Sequence, residues 1–336
     1  MPETLIYLII FFSLFLFELF YFRIAVRYTI TDEPNHRSSH QKVTIRGGGI
    51  IFPLAGLAWL IYSDFSLPAF IAGLLLIAII SFIDDLGELK SSIRLLFHIL
   101  AISLLICQIK PDIEWYSFPL VVILIVGAVN AYNFMDGING ITGGYSLILL
   151  VSLFYVNHFV VSFISESLLI FIILSLLVFN FFNFRKAAKC FAGDVGSVSV
   201  AFVICFLLCQ LIFKTQNLLF IVLLLIYGLD AVTTIVFRLI RKENILKAHR
   251  SHFYQYLANE RKWQHLVVSG LYMLIQLVLN IILLTQVSEH SDFEDSLYVL
   301  LPLLLFTGIL FILMRIIVEG KSRLFGIKEV PLEKCM

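Results

Sequence analysis

The chain has 336 residues, 60% of them hydrophobic and 14% charged, with a formal net charge of +1 at pH 7 and a mean hydropathy of +0.98. This composition excludes a soluble globule, because repeated apolar runs of eighteen or more residues need a bilayer. The predicted class is an all-α polytopic membrane protein, with no nucleic-acid partner expected.

In chain order, apolar runs bounded by polar residues predict eleven transmembrane helices, near 4–22, 48–63, 67–83, 94–109, 117–132, 144–164, 167–184, 198–213, 217–237, 266–286 and 297–317. The first has Glu3 before it, Arg23 and Arg27 after it and no small-residue cleavage site, which reads as an uncleaved anchor. Cys107, Cys190, Cys205, Cys209 and Cys335 contain no CxxC pair, so neither a disulfide framework nor a zinc site is expected. When the loops are sorted by alternate sides, all of the 24 Lys and Arg except Lys110 and Lys214 fall on one side. By the positive-inside rule that side is cytoplasmic, with the N-terminus outside and the C-terminus inside. The expected organisation is one multi-span domain over residues 1–320 and a tail, 321–336. The polar constellations all lie in the cytoplasmic loops 23–47, 84–94, 131–143, 185–197 and 238–265, on the inner membrane of the cell.

Five of those constellations carry chemistry. In the first loop, Asp32 to His40 leads to Arg46 and a glycine triplet, Gly47 to Gly49, at the entry of the second span. Asp84 and Asp85 close the third span; adjacent carboxylates repel, and sharing a cation or a proton justifies the pair. The stretch Asn130 to Gly144 places Asn130 and Asn133 one helical turn apart, followed by Asp136, Asn139 and Gly137, Gly140, Gly143 and Gly144. Oxygen ligands for a hard cation sit there beside glycines that let backbone N–H groups approach a phosphate; the same residues also make ordinary turns. Asp194, between Gly193 and Gly196 before the eighth span, reads as a metal ligand or as a helix cap. In the long basic loop, His249, Arg250 and His252 suit an anionic ligand better than zinc, and Ile245 to Leu266 has the composition of an amphipathic piece on the membrane surface. Asp230 lies inside the ninth span, where a carboxylate must pair or face a polar cavity.

Taken together, Asp84-Asp85, Asn130-x-x-Asn133-Phe-x-Asp136-Gly-x-Asn139-Gly, Gly193-Asp194-x-Gly-Ser197 and the His-containing basic loop resemble the polyprenyl-phosphate N-acetylhexosamine-1-phosphate transferases, over about residues 1–320. The resemblance implies an eleven-span enzyme that moves a sugar-1-phosphate from a UDP-N-acetylhexosamine to undecaprenyl phosphate with Mg²⁺, or Mn²⁺ in its place. It implies Asp194 as the main metal ligand with Asn133 as a second, and Asp84, Asp85 and Asp136 as catalytic residues. It assigns Asn130, Asn139, Lys90, His249, Arg250 and His252 to substrate binding, and it is compatible with a homodimer. The basic loop has His-Arg-Ser-His where the peptidoglycan translocase has three consecutive histidines. It is similar instead to enzymes that start O-antigen or other surface glycans, so GlcNAc is expected, with FucNAc, QuiNAc and MurNAc-pentapeptide as alternatives. A transporter would place its site at midplane between repeated halves, which the sequence lacks. A CDP-alcohol phosphotransferase would need an Asp-Gly-x-x-Ala-Arg run, and Ile138-Asn139-Gly140-Ile141 follows Asp136-Gly137 instead.

Overall fold

The computed structural model describes residues 2–33, 42–87, 89–111, 114–244, 250–286 and 293–327. Thirteen α-helices follow in order among them: α1 Glu3–Arg27, α2 Ile51–Tyr62, α3 Pro68–Leu86, α4 Ser91–Ile109, α5 Phe118–Met135, α6 Ile141–Phe159, α7 Glu166–Asn183, α8 Gly193–Thr215, α9 Leu225–Ile240, α10 Phe253–Asn259, α11 His265–Leu284, α12 Phe293–Glu319 and α13 Lys321–Phe325. Ten helical stretches are long and apolar enough to cross a membrane, and Gly48–Tyr62 is a shorter apolar one. These occupy the eleven predicted segments in order, with ends shifted by a few residues. Among the described residues the strands are one short antiparallel pair, β1 Thr31–Asp32 with β2 Thr44–Ile45, and a single bridge joins Ile45 to Cys190.

The core is organised on α8. Of the most apolar eighteen residues of each span, 83% are buried in α8 and 6% in α12, so α8 is the axis and the apolar stretch of α12 lies at the periphery. Small residues on α8 (Gly196, Ser197, Ser199 and Ala201, all buried) let neighbouring helices approach closely. Phe70 of α3 then stacks on Phe206 and Phe202, with ring centroids 3.9 Å and 6.0 Å away. The ninth span is broken where a 3₁₀ stretch, Leu218–Leu224, turns into α9. Gln276 of α11 satisfies backbone groups at the break, accepting from Ile226 N at 3.1 Å and donating to Val222 O at 2.9 Å. Without such partners a broken helix is not tolerated in hydrocarbon.

The predicted surface piece over 245–266 is corrected. Residues 245–249 lie outside the described residues, and the helix that follows, α10, spans only seven residues with Phe253, Tyr254, Tyr256, Leu257 and Ala258 buried. Its apolar side chains enter the protein core because its first turn is capped from another helix. Asp230, fully buried in α9, accepts from Phe253 N (2.9 Å), Tyr254 N (3.1 Å) and Tyr272 Oη (2.6 Å), with His252 Nδ1 at 3.3 Å. Arg315 of α12, also buried, donates to Thr233 Oγ1, Thr234 Oγ1 and the Ser251 carbonyl at 3.0, 2.8 and 3.0 Å and pairs with Glu319. The intramembrane carboxylate expected to pair is thus the anchor of the basic loop.

Candidate active site

The site is assembled at the N-terminus of α8, where backbone meets backbone. Phe191 N donates to Ile45 O at 2.8 Å, Gly48 N to Phe191 O at 2.8 Å and Gly49 N to Ala192 O at 3.0 Å. A Cβ on Gly49 would run into Gly196 Cα, so both glycines are required for this approach. Gly193 has φ +70°, a left-handed conformation that turns the chain into α8, and a Cβ there would meet Asp85 Oδ2. These contacts bring the first loop, the end of α3 and the start of α8 to one place.

Asp85 uses both its oxygens on α8, accepting from Asp194 N and Val195 N at 2.9 Å each, and Arg46 Nε lies 2.7 Å from Oδ1. It therefore caps α8 from another helix and completes the orphan donors of the first turn. Asp84 accepts from Leu89 N at 2.7 Å and from Arg94 Nη1 at 2.6 Å. Asp194 is the most accessible of the three, with 21% of its side chain exposed against 8% for Asp84 and 0% for Asp85. Its oxygens have longer contacts with two arginines, Arg46 Nη2 at 3.7 Å and Arg94 Nη1 at 3.4 Å, and the Asp84 carboxyl as a polar neighbour. Asn133, the last polar residue of α5, accepts from Ser197 Oγ at 2.6 Å. Asp84, Asp85, Asp194 and Asn133 are thus brought together around the first turn of α8.

Asp136 follows α5 directly, and burial pushes its carboxyl up to about 6, with the charge of Asp85 acting the same way. Tyr254 links this turn to the basic loop: its hydroxyl donates to Phe134 O at 2.9 Å and fills the space above Gly137. His252 lies beside Phe134, ring centroids 6.3 Å apart, but its Nδ1 faces Asp230 rather than the three carboxylates. Arg250 is half-buried at the entrance of the same segment, and His249 lies outside the described residues. Asn130 is half-buried on α5, and Lys90 is exposed just before α4. Asn139 is buried and donates from Nδ2 to the Arg185 and Lys186 carbonyls at 2.9 and 3.2 Å, holding the loop between α7 and α8.

A cavity of about 890 Å³ is lined by Ile45 and Phe191 of the backbone joint, with Lys42, Asn139, Lys186 and Glu33 among its other walls; the Asp84, Asp85 and Asp194 carboxylates do not line it. Its size is that of a site for a cofactor-sized ligand, and its lysines favour an anion. Sequence reasoning gave no role to Arg94 and named Arg46 only as the entry to the glycine triplet. The available signal was position: Arg46 directly precedes the glycine triplet, and Arg94 follows Asp84 by ten residues.

Among the described residues, no group of three or more Asp, Glu, His or Cys side chains forms a ready-made metal cage. The reason is visible in the hydrogen bonds, since Asp85 and Asp84 are already committed and Asp194 alone offers loosely held carboxylate oxygens. Such a donor set fits Mg²⁺, which is commonly held by one or two carboxylates together with substrate phosphates and water.

Comparison with known proteins then decides the family. The family described as "Glycosyl transferase family 4" matches residues 67–212, which includes Asp84, Asp85, Asn133, Asp136 and Asp194. A relative from Bacillus subtilis, "Probable undecaprenyl-phosphate N-acetylglucosaminyl 1-phosphate transferase", is 31% identical over 70% of this chain and 71% of its own length. The chain belongs to glycosyl transferase family 4. A "Phospho-N-acetylmuramoyl-pentapeptide-transferase" of Halalkalibacterium halodurans is 25% identical over 68% of this chain and 80% of its own. An "Undecaprenyl-phosphate alpha-N-acetylglucosaminyl 1-phosphate transferase" of Salmonella typhi is 26% identical over 59% and 60%. The reaction class of this family 4 member is a polyprenyl-phosphate sugar-1-phosphate transfer.

Proposed function

We propose that this transferase moves N-acetylglucosamine-1-phosphate from UDP-GlcNAc to undecaprenyl phosphate, releasing UMP and starting a cell-envelope polysaccharide such as O-antigen. The observation that carries this reading is the convergence of the Asp84, Asp85 and Asp194 carboxylates with Arg46 and Arg94 at the start of α8. The choice of GlcNAc is supported by the higher identity of the Bacillus subtilis relative, 31% against 25% for the pentapeptide transferase, and by the His-Arg-Ser-His sequence of the basic loop. The Lys and Arg asymmetry supports a cytoplasmic site, an outside N-terminus and a cytoplasmic tail after a single domain over 1–320.

In this reading the cavity holds the uridine end, with Phe191 and Asn139 on its wall and Lys42 and Lys186 toward the phosphates. A lipid phosphate monoester, with a second pKa near that of a phosphorylated side chain at about 6, is largely dianionic at neutral pH and is already a nucleophile. What it needs is relief from the diphosphate's charge. Mg²⁺, held by Asp194 with Asn133 beside it, supplies that neutralisation when bound. Asp84 and Asp85 orient the arginines and the first turn of α8, and Arg250 and Lys90 are assigned to the anionic substrates by the family resemblance. The lipid oxygen attacks the sugar-bearing phosphorus, a P–O bond to it forms, and the bond to the departing UMP oxygen breaks in one displacement. Asp136, ionised above about pH 6, faces this centre from the end of α5.

The test is UMP release from membranes containing the protein, Mg²⁺ and undecaprenyl phosphate, with a panel of UDP-GlcNAc, UDP-FucNAc, UDP-QuiNAc and UDP-MurNAc-pentapeptide. Lipid-dependent release with UDP-GlcNAc is expected; release with none of the four overturns the transferase reading. Phosphosugar trapped on Asp84 or Asp85 without lipid overturns the single displacement.

A further inference from the structure

The three carboxylates are held on unequal terms, and two arginines make the difference. Arg46 contacts Asp85 at 2.7 Å and reaches Asp194 at 3.7 Å; Arg94 contacts Asp84 at 2.6 Å and reaches Asp194 at 3.4 Å. Each guanidinium therefore has a tight partner of its own and shares Asp194 loosely with the other. Asp194 has the Asp84 carboxyl as a further neighbour, and the charge of the two arginines offsets the repulsion between them.

Arg46 is also fixed at its root. Tyr21 Oη donates to its carbonyl at 2.6 Å, its N–H donates to Ile30 O at 3.1 Å, and Gly47 follows in the left-handed conformation. Its Nε is anchored on a carboxylate that caps α8, while the guanidinium is 36% exposed. Because the guanidinium is planar, that anchor also aims its Nη end, which faces Asp194.

We propose that Arg46, together with Arg94, is the resident counter-ion of Asp194 and competes with a divalent cation for that carboxylate, so that the arginines set the metal affinity of the site. The metal reading of Asp194 comes from the proposed function, but the competition itself follows from the charges and distances. A cation entering at Asp194 meets two positive groups within a few ångströms, which weakens its binding. The same two groups keep the carboxylates from repelling one another before the cation arrives. Once Asp194 takes the cation, the Nη end of Arg46 is left facing the space where substrate phosphates are expected, with its Nε still on Asp85.

The experiment is Mn²⁺ binding alone, by calorimetry or electron paramagnetic resonance, to the full-length protein in detergent. Arg46→Met and Arg94→Met are each expected to tighten Mn²⁺ binding by roughly tenfold, the scale of one nearby charge in partly solvated surroundings. Arg46→Lys keeps the charge and is expected to stay within about twofold of the parent on the same argument. Asp194→Asn is expected to lose the site. Should Arg46→Met not yield a monodisperse protein, Arg46→Gln, which retains a donor for Asp85, takes its place. Unchanged or weaker Mn²⁺ binding in the folded neutral variants overturns the proposal. No sugar substrate enters this measurement, so its failure is distinct from failure of the UMP-release assay.

Discussion

Asp230 and Asp194 lie on either side of the Phe134–Gly137 turn, and the protein treats them in opposite ways. Asp230 is fully buried and accepts hydrogen bonds from two backbone N–H groups and the Tyr272 hydroxyl, with His252 alongside. Asp194 is partly exposed and has no ion pair shorter than 3.4 Å. A buried carboxylate with every lone pair used can only hold structure. One surrounded by charge at distances it does not close is available for a cation and a phosphate. The contrast separates an anchor from a site more cleanly than the residue type does.

The strongest way to break that contrast is Asp194→Asn. Turnover is expected to fall by roughly 10²-fold or more, as for loss of a group that stabilises transition-state charge, while membrane insertion and the melting temperature stay near those of the parent. Retained UMP release would remove Asp194 from the site. Next in size is Arg315→Met on the anchor side, where removing one member of a buried, paired network costs about 3–5 kcal/mol. Melting in detergent and activity should fall together there, since Ser251 and the α10 cap lose their support. If activity fell with no loss of stability, Arg315 would belong to the site and the contrast would fail.

A smaller effect concerns Asp136. Its carboxyl is raised to about 6 by burial, above the ordinary value, so the folded protein favours the protonated form. Stability is therefore expected to decline as pH rises from about 4 to about 6, by roughly 1–2 kcal/mol after solvent screening. Asp136→Asn should flatten that decline, which melting curves across the window will show; an unchanged slope assigns it to another group. Smallest is Lys186→Ala on the cavity wall, expected to raise the KM for UDP-sugar by about three- to tenfold with kcat little changed, the behaviour of lost uniform charge-assisted binding. A fall in kcat at constant KM would place Lys186 with the reacting groups.

Much of this was legible in the residues alone, for physical reasons. Eleven apolar runs announce themselves because a bilayer demands continuous hydrophobicity, and Asp84, Asp85, Asn133 and Asp194 stand out because polar residues beside glycines are costly there without a purpose. Arg46 and Arg94 did not stand out, since arginine in a cytoplasmic loop already satisfies the positive-inside rule and needs no further explanation. Arg315 was hidden in the same way, counted as a basic flank of the last span. The helix α10 was misjudged because its apolar face looks alike whether it meets lipid or protein. What sends it inward is a cap twenty-two residues upstream, in Asp230, a distance that no local pattern reports.

The glycine contact between the first loop and α8 has a consequence for motion. Because Gly49 and Gly196 touch through their main chains, and the strands of hydrogen bonds from Ile45 to Ala192 run between backbones, no rotamer change can loosen the joint. Arg46 and Asp194 are thus mounted on one rigid body. Any opening of the site during a catalytic cycle must come from side-chain swings at Arg46 and Arg94 or from the basic loop above Gly137. Spectroscopic labels across the 45–49 and 190–196 segments should therefore report a constant distance in every ligand state.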